Sequence, residues 1–314
     1  MIMKKFLIIP IFLLFTASAM DAAGAGVQGD VNLDGMVNIS DVTDLIDSLL
    51  NQDAGPSCDV DLDGQVSISD VTTLIDILLS PTDQVTLTVN GVAFTMVHVE
   101  GGMFTMGCTS DQWPDHRRNE APVHEVTLSG YYIGQTEVTQ ELWNAVMGKN
   151  PSKFIDPQRP VETVSMFACA EFVDKLSELT GKVFRLPTEA EWEFAARGGN
   201  KSRHYKYSGS NEVDDVAWYA GNSGLESHPV ATKAPNELGI HDMSGNVLEW
   251  CLDWYYYYPQ DPCVNPVGPD SGDENVYRGG CWGSDASFCR NATRDKLDPD
   301  TAMNVLGLRV VMNE

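Results

Sequence analysis

Two acidic segments near the start of the chain are near copies of each other, 29 residues apart. Each segment of twelve residues has oxygen-bearing side chains at positions 1, 3, 5 and 12 and a glycine at position 6. This is the spacing of an EF-hand calcium loop, with Asp in place of Glu at position 12. Position 7 would contribute its backbone carbonyl, and the glycine permits the sharp turn around the ion. The predicted ligands are Asp30, Asn32, Asp34, Met36 and Asp41 in the first loop and Asp59, Asp61, Asp63, Gln65 and Asp70 in the second.

The charge of this region favours a bound cation. The chain has a formal net charge of -25, and residues 24–80 contain 11 Asp but no Glu, Lys or Arg. Such a segment repels itself unless a cation neutralises it. Nucleic acid is not expected as a partner, because binding to phosphates requires Lys and Arg. We therefore predict calcium as a cofactor.

An apolar stripe with helical spacing follows each loop, and it predicts two amphipathic helices that bury their stripes against each other. The stripes are Val42, Leu45, Ile46, Leu49 and Leu50, then Val71, Leu74, Ile75, Leu78 and Leu79. Because about 55 residues make a small core, metal binding should supply much of the folding energy. A duplicated loop and helix resembles a type I dockerin over residues 24–80. That resemblance implies a cohesin-type module as partner, contacted at loop positions 10 and 11, which are Ile39-Ser40 and Ile68-Ser69.

The first residues predict export. Lys4 and Lys5 precede an apolar run at 6–15, and Ala17-Ser18-Ala19 offers a cleavage site, so residues 1–19 are predicted as a signal peptide. The alternative is a membrane anchor, but the run is too short to span a bilayer. We expect a protein secreted to the extracellular space, a cell-surface complex or the periplasm, with no membrane span.

A second domain is predicted from 85 to 314, after a linker at 81–84. Alternating apolar residues on both sides of Asn90-Gly91 predict a hairpin with a tight turn. The rest should be mostly short strands and long ordered loops. Helices are predicted at Gln140–Met147, at Met166–Thr180 and from a capping box that begins at Thr188.

The second domain contains six motifs in order, at 99–107, 136–139, 184–193, 242–250, 278–280 and 307–309. Together they resemble the formylglycine-generating (sulfatase-modifying factor) enzyme family. The resemblance implies a C-type-lectin-like fold with little regular secondary structure, which makes the whole chain α+β with a small all-α, EF-hand-like dockerin. It also implies an oxidase that converts a sulfatase cysteine to formylglycine, with oxygen and a copper ion held by two cysteines.

The copper signature of this family, Gly-Gly-Ser-x-x-Cys-x4-Cys, is altered in this chain. Cys289 matches the second cysteine, but Ser284 replaces the first, and Cys281 replaces the family's serine. A neutral hydroxyl is a poor ligand for Cu(I), which prefers soft thiolates. We therefore predict that ordinary formylglycine-generating activity is lost, with a rearranged site that uses Cys281 and Cys289 as the alternative.

The cysteines also have a structural interpretation. The chain has seven, so at least one is free or bonded to another molecule. Cys281 and Cys289 could be buried thiols or form disulfides, and Cys251 is the first candidate partner for Cys289.

The family resemblance further implies calcium in the large domain. The matching ligands are Asp242, the carbonyls of Gly245 and Val247, and the carboxylate of Glu249. The alternative is that Glu249 pairs with a nearby arginine. A second family site falls at Asn222 and Ser223, although its acidic ligand has no clear match.

Two functions remain open for the large domain. Trp254 and the tyrosines at 255–258 could form a stacking face for a sugar or peptide, or they could pack in the core, which we favour. We predict a recognition module for protein or glycan whose copper site is degenerate. The alternative is an active oxidase of a sulfatase, with Cys289 and possibly Cys281 as thiolates.

Overall fold

The computed structural model describes residues 29–33, 37, 39–51, 53–61, 63–79 and 84–314, without the side chains of 76–79. The chain divides into two compact units, Met1–Ser80 and Pro81–Glu314. Within the described ranges, no helix combines the length and apolarity needed to cross a membrane. Several predictions fall outside the described residues: the signal peptide at 1–19, the dockerin residues 24–28, the ligands Asp34 and Met36, and linker residues 81–83.

The small unit consists of two loops that each lead into a helix. Helix α1 spans Ile39–Asn51 and α2 spans Ile68–Leu79, so each helix begins at loop position 10. Because of this, the residue at position 12 lies in the first helical turn. The described core of the unit is Val31, Val42, Leu45, Cys58, Val60, Val71 and Leu74.

The apolar stripes of these helices are only partly buried. Leu45 and Leu74 are fully buried, whereas Ile46, Leu50 and Ile75 are exposed. The prediction that the complete stripes bury against each other was therefore wrong for Ile46, Leu50 and Ile75. Among the described residues of this unit, each helix has one other helix to pack against, and that helix covers one side of its stripe.

The large unit is built from three small sheets and long loops, as predicted. Their strand orders are β1-β2-β5-β12-β6, β10-β9-β7-β11 and β3-β4-β8. The strands are β1 (Gln84–Val89), β2 (Val92–Val99), β3 (Gly102–Met106), β4 (His124–Leu128), β5 (Tyr131–Gly134), β6 (Phe184–Arg185), β7 (Leu248–Trp254), β8 (Cys263–Val264), β9 (Asn275–Arg278), β10 (Arg294–Leu297), β11 (Leu306–Gly307) and β12 (Val311–Asn313).

The predicted hairpin is confirmed. Strands β1 and β2 pair antiparallel from Gln84↔Val97 to Val89↔Val92. Asn90 and Gly91 have φ values of 49° and 87°, the left-handed conformation that a two-residue type I′ turn requires. Gln84 already belongs to β1, so the predicted linker at 81–84 ends one residue too late.

The predicted helices of the large unit are confirmed. Helices α3 (Gln140–Met147) and α4 (Met166–Thr180) have the predicted bounds, and α5 (Glu189–Ala196) follows the predicted start at Thr188. A short helix α6 (Val213–Val216) was not predicted. The hydroxyl of Thr188 accepts the N–H of Glu191, whose carboxylate accepts the N–H of Thr188, which is the predicted capping box. All eight residues of α5 are buried.

The buried helix α5 places three glutamates in the interior, and each one meets arginine. Glu189 pairs with Arg294, Glu191 pairs with Arg185, and Glu193 contacts both Arg197 and Arg278. Buried carboxylates need such partners because an unpaired charge in a protein interior is costly. These pairs tie α5 to β6, β9 and β10.

Candidate functional site

The second acidic loop has the geometry of an ion site. Oxygen atoms of Asp59, Asp61 and Asp63 lie within 4.8 Å of one another. Oδ2 of Asp59 accepts the N–H of Gly64 at 3.0 Å, while Oδ1 of Asp59 is buried and has no hydrogen-bond partner. Gly64 has a φ of +86°, which the turn around the site requires. Crowded carboxylates and an orphaned acceptor fit a calcium ion.

The aspartates at position 12 close both loops. The buried Asp70 accepts the N–H of Val60 at 2.7 Å and that of Asp61 at 3.1 Å through Oδ1, and the N–H of Ser67 at 2.7 Å through Oδ2. Asp41 does the same in the first loop, where it accepts the N–H groups of Val31 and Asn32 at 2.8 and 3.2 Å. The described start of the first loop is therefore tied to position 12 in the same way as the start of the second.

We expect the second loop to bind calcium more tightly than the first. It offers four carboxylates, whereas the first loop has Asn32 at position 3 and offers three. In a calorimetric calcium titration of the full chain, Asp63→Ala should remove the tighter phase and Asp34→Ala should leave it in place. A tight phase that survives Asp63→Ala would contradict this ranking.

The altered copper signature folds into a turn followed by the short 3-10 helix Ala286–Phe288. Sγ of Cys281 lies 3.3 Å from Oγ of Ser284, and the N–H of Cys281 donates to that same oxygen at 3.1 Å. Cys289 is fully buried and packs against Tyr207 and Val216. Burial raises the pKa of both thiols, Cys281 and Cys289.

The family's two copper positions hold one thiol and one hydroxyl in this chain. The position of the first family cysteine holds the hydroxyl of Ser284, which already bonds Cys281. Cys281 and Cys289 are near enough that the charge of Cys281 adds to the raised pKa of Cys289. A linear Cu(I) site needs two soft donors that face one another across the ion.

The candidate disulfide between Cys251 and Cys289 is not formed. All seven cysteines are free thiols. Cys251 packs with Trp192 and Met243, whereas Cys289 packs with Tyr207, so the two side chains occupy different parts of the interior. The buried-thiol alternative holds for both Cys281 and Cys289.

Glu249 has the arginine partner that we considered as the alternative to calcium. Its Oε1 accepts Nη2 of Arg309 at 2.8 Å, and its Oε2 accepts Nε1 of Trp192 at 2.7 Å. All three side chains are fully buried. Because both oxygens are already engaged, Glu249 is not an open calcium ligand in this arrangement.

The other residues of this predicted site are also held by the protein. Asp242 accepts the N–H of Ala231 through Oδ2 at 2.7 Å. Gly245 has a φ of +82°, and a Cβ there would lie 2.3 Å from the carbonyl oxygen of Trp218. The N–H of Val247 donates to Oε1 of Glu137 at 3.0 Å. Calcium binding at Asp242, Gly245, Val247 and Glu249 stays a prediction.

Glu137 is a member of this cluster that the sequence did not single out. It is buried, and its Oε2 accepts Nδ2 of Asn246 at 2.7 Å. Burial raises the pKa of Glu137 well above its usual value, and the negative charges of Asp242 and Glu249 add to the shift. Glu137 lies in the sequence motif at 136–139, and that motif was the signal that could have identified it. Three buried carboxylates thus surround the single guanidinium of Arg309.

The residues of the second family calcium position also have protein partners. Oδ1 of Asn222 accepts the N–H of Tyr219 at 3.0 Å. The carbonyl of Ser223 faces Nε2 of His228 at 2.7 Å, and its hydroxyl donates to the carbonyl of Trp282. Calcium binding at Asn222 and Ser223 stays a prediction.

These features define a two-part protein, in which a module with a duplicated metal loop precedes a mixed domain of small sheets and long loops. Residues 28–79 match the type I dockerin domain, and residues 87–314 match the sulfatase-modifying factor enzyme 1-like domain. The chain therefore belongs to the sulfatase-modifying factor enzyme 1-like family and carries a type I dockerin domain. The predicted fold class, an EF-hand-like dockerin followed by a C-type-lectin-like fold, is confirmed.

The proteins similar to this chain carry names of different kinds: a chaperone, a formylglycine-generating enzyme and a protein kinase. The chain is 35% identical over 276 residues to the chaperone protein LppX of Paenibacillus barcinonensis, with 71% of this chain and 91% of that one covered. It is 38% identical over 278 residues to the formylglycine-generating enzyme of Streptomyces coelicolor, with 68% and 87% covered. It spans 38% of the length of the serine/threonine-protein kinase pkn1 of Chlamydia pneumoniae.

A solved structure supports the same fold. Treponema denticola variable protein 1 is 34% identical to this chain and superposes with a TM-score of 0.69. The match covers 75% of this chain and all of that structure.

Proposed function

We propose that this is a secreted protein that docks through its dockerin and whose large domain recognises a protein or a glycan without copper chemistry. The observation that carries the proposal is the Ser284 hydroxyl at the position of the first copper cysteine, where it bonds Cys281 and offers no thiolate. With one thiol at the family positions, the domain lacks the pair of soft donors that Cu(I) prefers.

The relatives are compatible with this proposal and also define its alternative. LppX, which this chain almost spans, is named a chaperone, and a chaperone acts by binding protein. The 38% identity to a formylglycine-generating enzyme favours the alternative, a copper-dependent oxidase that converts a sulfatase cysteine to formylglycine. The altered signature decides our preference, because identity across a domain does not preserve a site that has lost a ligand.

The dockerin would bind a cohesin-type module in a calcium-dependent way. Ile39 and Ile68, at loop position 10, are 72% and 74% exposed, and Leu50 is 76% exposed. Exposed apolar side chains on so small a unit are typical of a binding surface. Calcium in the two loops would hold both helix starts, and therefore both isoleucines, in place.

The choice between recognition and oxidation is tested with a sulfatase peptide that contains a cysteine. The copper-loaded full chain should form no aldehyde, whereas the Streptomyces coelicolor enzyme, as positive control, should form it. Binding of a protein or glycan by the same preparation would support recognition. Aldehyde formation that disappears in Cys289→Ser would establish the oxidase instead.

A further inference from the structure

The aromatic segment that follows β7 is only partly used by the core. Tyr258 is buried, and its hydroxyl donates to Oε1 of Glu189 at 3.1 Å, so the core-packing interpretation holds for this residue. Tyr256 and Tyr257 are instead 65% and 75% exposed. These two rings line a cavity of about 80 Å³, together with Trp254, Tyr258, Pro259 and Pro266.

Asp253 places a buried carboxylate in the wall of the same cavity. The residue is 6% exposed, and its Oδ2 accepts the N–H of Glu189 at 2.8 Å, at the start of α5. Within residues 84–314, no Lys, Arg or His side chain forms an ion pair with Asp253. A buried carboxylate without a cationic partner is costly in free energy.

The other charged groups around the cavity already have partners. Arg294 donates to both oxygens of Glu189, at 2.6 and 2.7 Å, and its remaining N–H groups bond backbone carbonyls. Glu191 pairs with Arg185. The Nδ1 atom of His124 lies 3.3 Å from the carbonyl oxygen of Pro122. Asp253 therefore differs from these groups in having no cationic side chain as a partner.

We propose that this cavity binds the alkylammonium head group of a lysine or methylated lysine side chain on a partner protein. Faces of tyrosine and tryptophan rings attract organic cations, and an adjacent carboxylate strengthens the attraction. Burial, with the negative charge of Glu189 added to it, raises the pKa of Asp253 to about 7, which a bound cation would lower again. The inference names a partner chemistry for the recognition role proposed above, yet it does not depend on the state of the copper position.

Choline is a suitable small probe because a matched control exists, its uncharged isostere with carbon in place of nitrogen. In calorimetric titrations of the full chain we expect choline to bind at least about fivefold more tightly than the isostere. Tyr257→Ala should weaken choline binding by about fivefold. Asp253→Asn should weaken choline binding further. The amide oxygen of the asparagine can still accept the N–H of Glu189. Trp113→Ala removes an exposed aromatic ring that does not line the cavity and should change nothing.

The pH dependence gives a second measure of the same site. Choline affinity should fall as the pH drops below 7, because Asp253 becomes protonated, and Asp253→Asn should remove that dependence. Equal binding of choline and its isostere, or choline binding unchanged in Tyr257→Ala, would overturn the proposal. So would a Tyr257-dependent binding of neutral cello-oligosaccharide without choline binding, which would identify a glycan site. None of these results alters the outcome of the aldehyde assay, so the two proposals fail separately.

Discussion

Replacing Arg309 with methionine should destabilise the large unit by about 3–5 kcal/mol, because removal of one partner of a buried ion pair leaves an uncompensated charge. Arg309 is fully buried and donates to Glu249. Its positive charge also interacts with the carboxylates of Glu137 and Asp242. Denaturant unfolding of the full chain, followed by tryptophan fluorescence, measures this. All seven tryptophans lie in residues 84–314, so the signal reports the large unit alone.

Two further variants make the result interpretable. Arg203→Met removes an exposed arginine and should change the free energy of unfolding by no more than about 0.5 kcal/mol. Adding Glu249→Gln to Arg309→Met should recover part of the loss, because the glutamine is neutral and still offers an oxygen to Nε1 of Trp192. A loss below about 1 kcal/mol in Arg309→Met would mean that this charge cluster is not a main support of the fold.

Removal of calcium should unfold the small unit while the large unit stays folded. Without a cation, Asp59, Asp61 and Asp63 repel one another at close range, and a described core of seven residues is too small to compensate. Excess chelator should therefore remove the far-ultraviolet circular dichroism of α1 and α2, which contain 13 and 12 residues. Added calcium should restore it.

Tryptophan fluorescence provides the control in the same experiment. Trp192 donates to Glu249, so its emission would change if chelation removed an ion from the predicted site of the large domain. Unchanged emission together with loss of helix would place the essential calcium in the small unit. Circular dichroism and melting that are indifferent to chelator would contradict the calcium account of the dockerin.

Local features of the fold were predictable from sequence because the signals were local. The capping box of Thr188 and Glu191 starts α5, and glycines in left-handed conformation, Gly148 and Gly181, end α3 and α4. Asn90-Gly91 fixed the hairpin because few other dipeptides adopt both left-handed conformations. The loop residues Asp59 and Gly64 followed from spacing alone.

Contacts between distant parts of the chain were not predictable in this way. Arg309 is 60 residues from Glu249, and Glu137 is 110 residues from Val247, and no local pattern links them. The same holds for Asp253, whose carboxylate caps Glu189 from 64 residues away. The pairing of the seven cysteines could not be predicted from sequence for the same reason, and the candidate pair Cys251 and Cys289 is not formed.

The proposed loss of the copper site is tested most directly by measuring Cu(I) binding in competition with a chelator of known affinity. Because seven thiols are present, weak uptake by several of them is expected, and that uptake should be nearly the same in Cys289→Ser. The account predicts no tight one-to-one site. A tight site of one Cu(I) per chain that is lost in Cys289→Ser would contradict it and would make the protein an oxidase candidate.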